Sequence, residues 1–297
     1  MTKTLTLFTI LGIAVLLYGG PGDAGAAFLR IPVDARVVGM GEAAVSYIDN
    51  ASALYYNPAG MKYTQKLNLL FMHNAWLLGM NHEYLAGAFS VQKIGVFGIG
   101  FNYWGSGSIQ GVTIRGDTIP GYYFSATNWA VNVGYAKGFK DFSLGFGFKY
   151  IAEKNESLST SSFGVDIGMV YETPLKGLNI GLSCSNLGAS VKLDEESFSL
   201  PIIARFGWKY SFKDLNIAQD FVFSNADKLG IALGAEYWIG QVMALRVGYR
   251  NGSDCGGISG LRAGFGVLLK GLGIDYGVAP YGKLGISHRI SLNWKSI

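Results

Sequence analysis

The side chains best suited to act as ligands or nucleophiles are few: three histidines, His73, His82 and His288, and two cysteines, Cys184 and Cys255, in 297 residues. None belongs to a His-Glu-x-x-His, Cys-x-x-Cys or Gly-x-Ser-x-Gly arrangement, so the spacing supports neither a metal site nor a hydrolase elbow. No catalytic residue, metal or cofactor is expected. His288 falls on apolar parity with no nameable serine partner, and reads as a rim or structural histidine. Cys184, near the outer end of a segment, and Cys255, in an outer loop, lie several segments apart and read as free thiols, although an exported chain would permit a bridge. The remaining chemistry is ionic. Lys149, Asp166, Glu236, Arg246, Arg250, Arg262, Asp275 and Arg289 all occupy the polar positions of alternating segments. Such a set either pairs across an interior or meets a solute, and both readings stay open at this stage.

The elements that place these charges are strands. From about Lys66 the chain alternates with period two, as in Phe142, Leu144, Phe146, Phe148 and Tyr150 against Ser143, Gly145, Gly147 and Lys149. Leu245, Val247 and Tyr249 alternate in the same way with Arg246, Gly248 and Arg250. Alternation of this kind marks strands buried on one face. Fourteen are expected, at about 66–74, 82–92, 94–104, 122–138, 141–153, 162–173, 177–186, 200–211, 214–224, 228–239, 242–250, 258–269, 271–280 and 284–295.

Three features favour a transmembrane barrel over a soluble all-β sheet. The segments are long, near the roughly 9 to 11 residues a spanning strand needs. Aromatic residues gather near segment ends, at Tyr103-Trp104, Tyr122-Tyr123-Phe124 and Tyr237-Trp238, as in the interfacial girdles of outer-membrane barrels. Connections alternate between tight turns, such as Phe139-Lys140-Asp141 and Lys270-Gly271, and longer loops at 105–121, 154–161 and 187–199. The expected fold is therefore all-β: a transmembrane antiparallel β-barrel of about fourteen strands over residues 66–297, with its ionic residues facing a polar lumen.

Composition agrees. Glycine contributes 43 residues, about twice the usual ~7%, and only 15% of residues are charged against a usual ~25%. Aromatic content of 14% excludes a disordered chain. A net charge of +4, dispersed along the chain, gives no footprint for nucleic acid. Residues 1–26 read as a signal peptide, with basic Lys3, an apolar run from Leu5 to Tyr18 and small residues at Ala24-Gly25-Ala26. Export to the outer membrane of a Gram-negative-type bacterium follows as the expected location, with outer-membrane lipid as the first partner.

A barrel of fourteen strands is wider than its own side chains can fill. Residues 27–65 lack alternation, are small and glycine-punctuated, and are expected to fold as a plug in the barrel mouth. Within them Asp49-Asn50 can cap a short helix through Ser52-Ala53-Leu54-Tyr55, which stops before Pro58 because the residue preceding proline disfavours helix.

The run Arg36, Gly39-Met40-Gly41-Glu42-Ala43, Asp49-Asn50-Ala51 and Asn57-Pro58-Ala59-Gly60 resembles the N-terminal signature of the PorV/PorQ family of outer-membrane proteins, part of the FadL-like group. The stretch from Arg246-Val247-Gly248-Tyr249-Arg250 to His288-Arg289-Ile290 resembles the end of the same family. The resemblance implies a FadL-like barrel with an N-terminal plug, serving without catalysis as a docking scaffold for type IX-like protein secretion or surface attachment. Its partners would be secretion-machinery proteins or exported cargo. The alternative is a FadL-like channel for small hydrophobic molecules, with Asn57 and Pro58 controlling passage; the short external loops favour the scaffold.

Overall fold

A computed structural model describes residues 24–251 and 259–296. The expected leader, apart from its last residues, and Cys255 lie outside the described residues. Eighteen strands form among the described residues: β1 (Leu67–Ala75), β2 (Asn81–Val91), β3 (Gly95–Gly105), β4 (Ile109–Val112), β5 (Thr118–Phe124), β6 (Ala126–Gly138), β7 (Phe142–Asn155), β8 (Leu158–Glu172) and β9 (Leu178–Gly188). They continue with β10 (Val191–Leu193), β11 (Glu196–Phe198), β12 (Ile203–Phe212), β13 (Leu215–Ser224), β14 (Asp227–Ile239), β15 (Met243–Arg250), β16 (Leu261–Leu269), β17 (Leu272–Pro280) and β18 (Ile286–Lys295). Fourteen of them close into one antiparallel barrel, sealed where β1 pairs with β18 from Asn68↔Lys295 to Ala75↔His288. Closure leaves no unpaired edge, as a sheet surrounded by lipid requires.

The expected fourteen strands match the barrel within a few residues, with two instructive differences. The segment 122–138 divides at Ser125, and Tyr122, Tyr123 and Phe124 belong to β5, which pairs with β4 in a hairpin outside the barrel. β3, the barrel neighbour of β6, ends at Gly105, so beyond that level the chain has no partner on β3 and pairs with itself. The loop expected at 154–161 is a tight hairpin instead. Lys154↔Ser159 and Asn155↔Leu158 extend the β7–β8 ladder, with Glu156 in the left-handed region at φ 54.

Period-two burial runs through the wall. In β18 the pattern alternates strictly, with Ser287, Arg289, Ser291 and Asn293 buried and Ile286, Ile290, Leu292 and Trp294 exposed. Exposed large apolar side chains recur on every barrel strand except β9, among them Phe71, Leu85, Ile99, Phe146, Leu245 and Leu292. An apolar belt of that extent far exceeds what a soluble surface carries.

One rim carries short turns at 92–94, 139–141, 173–177, 213–214, 240–242 and 270–271; the other carries the hairpins and longer loops. At the turn rim Lys270 (φ 49) and Gly271 (φ 83) both take the left-handed geometry of a two-residue hairpin turn. At the loop rim the β10–β11 hairpin folds over the opening. Val191 and Leu200 bury against Ala26, Phe28 and Leu29 of the N-terminal segment and Ala130 and Ile151 of the wall.

Candidate functional site

Residues 27–65 occupy the lumen as a plug built from single turns: a 3-10 turn Ala27–Arg30, a helix Ala35–Gly39, a helix Ala53–Tyr56 and a 3-10 turn Pro58–Tyr63. These elements are too short to be stable alone, so they depend on caps and on the wall. Asp34 organises the first half. Its Oδ1 accepts from the Arg36 amide at 2.9 Å, while Oδ2 accepts from Asn50 Nδ2 and Ser52 Oγ, each at 2.8 Å, tying the two helices together. The expected capping pair divides: Asn50 Oδ1 accepts from the Ser52 amide, whereas Asp49 turns away to Arg36 and Lys295. The plug also reaches well beyond the mouth. It meets Asp227 at the loop rim through Arg30, and Glu172 and Lys295 at the turn rim through Lys62 and Asp49.

The wall admits the plug along a track of inward glycines. A Cβ on Gly145 would lie 2.1 Å from the Ala59 amide nitrogen and 2.3 Å from the Pro58 carbonyl carbon; one on Gly168 would lie 1.9 Å from Asn57 Oδ1. Further round, Gly181 faces Val45, Gly234 faces Met40, Gly248 faces Gly41, and Gly264 faces Gly39. Gly41 itself combines φ +65 with a gap to the Leu233 carbonyl that no side chain could enter. Gly60 packs within the plug against Ile48 and Ala53. Hydrogen bonds then fix the register. The Ala51 amide donates to Asn68 Oδ1 at 2.7 Å, the Ala44 and Val45 amides donate to Asp220 Oδ2, and Ser143 Oγ donates to the Ala59 carbonyl. Asn57 donates through Nδ2 to the carbonyls of Val45 and Met169 and accepts from the Ala59 amide.

Two ionic networks bracket this packing. Toward the turn rim Arg36 grips Glu236 at two points (Nε–Oε2 2.9 Å, Nη2–Oε1 3.0 Å), reaches Asp49 at 2.7 Å and lies over the Tyr47 ring. Arg246 bridges the same Glu236 and Asp275, each at 2.7 Å. Toward the loop rim Glu42 meets Arg250 at 3.3 Å and Arg262 at 3.7 Å. Burial alone would raise the Glu42 carboxyl, but the guanidiniums of Arg250, Arg262, Arg205 and Arg289 outweigh it and hold the group below its ordinary value. Within the wall Lys149 and Asp166 form a buried pair at 2.9 Å, joined by Asn186. Arg289 donates to Ser287 and lies over Trp76.

All eight charges singled out by parity are thus buried or half-buried on the inner side, and seven engage oppositely charged partners. Arg205, Asp220, Asp34 and Glu42 complete the networks and were not among them. Period two in β12 and β13 already puts Arg205 and Asp220 on the inner face; Asp34 and Glu42 lie in the unpatterned plug, where no periodicity could single them out. His288 points outward and bonds Tyr276 Oη at 2.6 Å, and Cys184 is a free, buried thiol.

Cavities approach the plug from both rims. One of about 380 Å³ at the loop rim is lined by Glu42, Arg205, Arg250 and Arg262. Two at the turn rim, of about 500 and 290 Å³, share Tyr47, Asp49, Lys209, Leu268 and Lys295, and the smaller reaches Arg36 and Arg246.

No family model matches the chain, and no curated protein matches it. Solved structures share its fold at low sequence identity. The Ralstonia pickettii toluene transporter TbuX aligns with a TM-score of 0.63 at 12% identity, over 93% of this chain and 99% of that one. A TodX monoaromatic hydrocarbon channel mutant gives 0.58 at 12% over 94% and 100%, and a Pseudomonas aeruginosa FadL homologue 0.55 at 12% over 89% and 99%. The chain therefore shares the fold of FadL-like outer-membrane channels.

Proposed function

We propose that this protein is a non-enzymatic outer-membrane channel that passes small hydrophobic or amphipathic solutes past a movable plug, after export by the signal peptide in residues 1–26. The carrying observation is the placement of the cavities. They enter from opposite rims, and the plug segment from Arg36 to Glu42 lies between them. The fold shared with a toluene transporter and a hydrocarbon channel supports the same reading. It reverses the preference drawn from loop length, because a polar plug held by ion pairs can yield a path without a large external groove. The test is uptake of labelled toluene by cells with an intact outer membrane, with and without the gene. Uptake that depends on the gene supports the channel; equal uptake removes it.

The PorV/PorQ-like secretion scaffold is the second reading. It is favoured by the plug's attachment to the wall at both rims, which suits a rigid docking surface. Deleting the gene and comparing exported proteins separates the two: lost secretion with unchanged uptake supports the scaffold, and the converse supports the channel.

A further inference from the structure

The cavity at the loop rim carries charges that a neutral hydrocarbon would leave unused. Its walls carry Arg30, Arg205, Arg250 and Arg262 against Glu42 and Asp227. Arg30 and Asp227 pair at 2.7 Å, which leaves three guanidiniums facing the single carboxylate of Glu42. Behind the lining, Asp220 and Arg289 add one charge of each sign, so among the described residues the surplus of two positive charges persists. The guanidiniums are also under-used. Among the described residues, Arg250 Nη1 and Arg262 Nε, together with Nε and Nη2 of Arg289, are buried without a hydrogen-bond partner, although the Arg262 side chain is only 2% exposed. Arg205 lies over the Tyr56 ring at 5.8 Å and reaches the Glu42 carbonyl at only 3.5 Å. Unpaired buried donors are costly, and forked guanidiniums match oxyanions bidentately.

Apart from Ser224 and Asn251, the rest of the wall is aromatic and apolar. Trp76 and Tyr281 meet edge to face at 5.1 Å, with Arg289 over the first ring and Arg262 over the second, and Ile31, Ile203 and Val222 supply aliphatic surface beside them. A volume of about 380 Å³ falls within the range of small-molecule pockets.

We propose that this vestibule binds a compact aromatic dianion, an aryl dicarboxylate being the simplest, with its carboxylates on Arg205 and Arg250 and its ring against Trp76 and Tyr281. This names a solute class for the channel proposed above; its transport arm rests on that reading, while binding stands by itself. The probe is phthalate, titrated calorimetrically into the full-length protein in detergent, with heat-modifiable gel migration as the check that each variant is a folded barrel. Phthalate should bind, more weakly as salt rises, and the affinity should fall at least tenfold in Arg205→Gln and in Arg250→Gln, with toluene failing to compete. No binding to the folded wild type, or equal affinity in both folded variants, overturns the site. Inorganic phosphate binding as tightly as phthalate overturns the aromatic part of the class. Toluene uptake without phthalate binding removes this inference and spares the channel, whereas phthalate binding without any gene-dependent uptake does the reverse.

Discussion

Arg36 of the plug and Glu236 of β14, 200 positions apart in the chain, meet in a two-point ion pair with Glu236 fully buried and Arg36 nearly so. Arg246 and Asn216 share the same carboxylate, so one wall residue gathers donors from the plug and from both flanking strands.

Removing that carboxylate takes one buried partner from each of two guanidiniums, leaving Arg36 with Asp49 alone and Arg246 with Asp275 alone. Breaking a buried pair from one side typically costs about 3–5 kcal/mol. Glu236→Ala should therefore loosen the plug at the turn rim while the barrel persists. Limited proteolysis should cut residues 27–65 faster than in the wild type, and single-channel recording should show more frequent openings.

The glycine track makes a steric prediction. Gly145→Ala places a methyl against plug backbone, which cannot rotate aside, and overpacking of this kind costs about 1–3 kcal/mol. Gly273→Ala, whose nearest neighbours are 3.6 Å away, is the matched control and should be neutral. Denaturant melts of the two refolded variants, monitored by tryptophan fluorescence, make the comparison.

Acid should release the loop-rim contact late. The Glu42 carboxyl is held below its ordinary 4.5 in the folded protein: burial works the other way and the arginines outweigh it. A depressed carboxyl stabilises above the unfolded value and loses that contribution as pH falls through the folded one. Protease protection of the plug should stay constant from neutral pH to about 5 and decline only below about 4. Glu42→Gln should reduce protection at neutral pH and flatten the acid limb.

The outer belt can be probed at mid-strand. Ile99, near the centre of β3, is 56% exposed on the apolar face. Ile99→Arg should weaken folding into lipid vesicles by about 2–4 kcal/mol, the cost of an arginine near the bilayer midplane. A conservative Ile99→Val, measured in the same vesicle titration, should change little.

What the sequence settles by itself is whatever obeys period two. Because successive strand residues point to opposite faces, Phe146 and Gly147 sort outward and inward with no tertiary information. The fourteen strands, the apolar belt and the inward placement of Arg246, Asp275 and Arg289 all follow from that rule. It fails where pairing rather than burial decides. Tyr122 to Phe124 left the barrel because β3 had already ended, and residues 158–161 stayed in a ladder because Ala152 to Asn155 offered them partners. The plug has no period to read. Its residues could be picked out by motif, but Asp49 going to Arg36 instead of a helix cap, Glu42 sitting among four arginines and Asn57 fitting over Gly168 depend on strands far along the chain. Such contacts are decided only when barrel closure sets the distance and register between plug and wall, which is why the sequence shows a lumen with charges in it and only the tertiary structure shows what each charge holds.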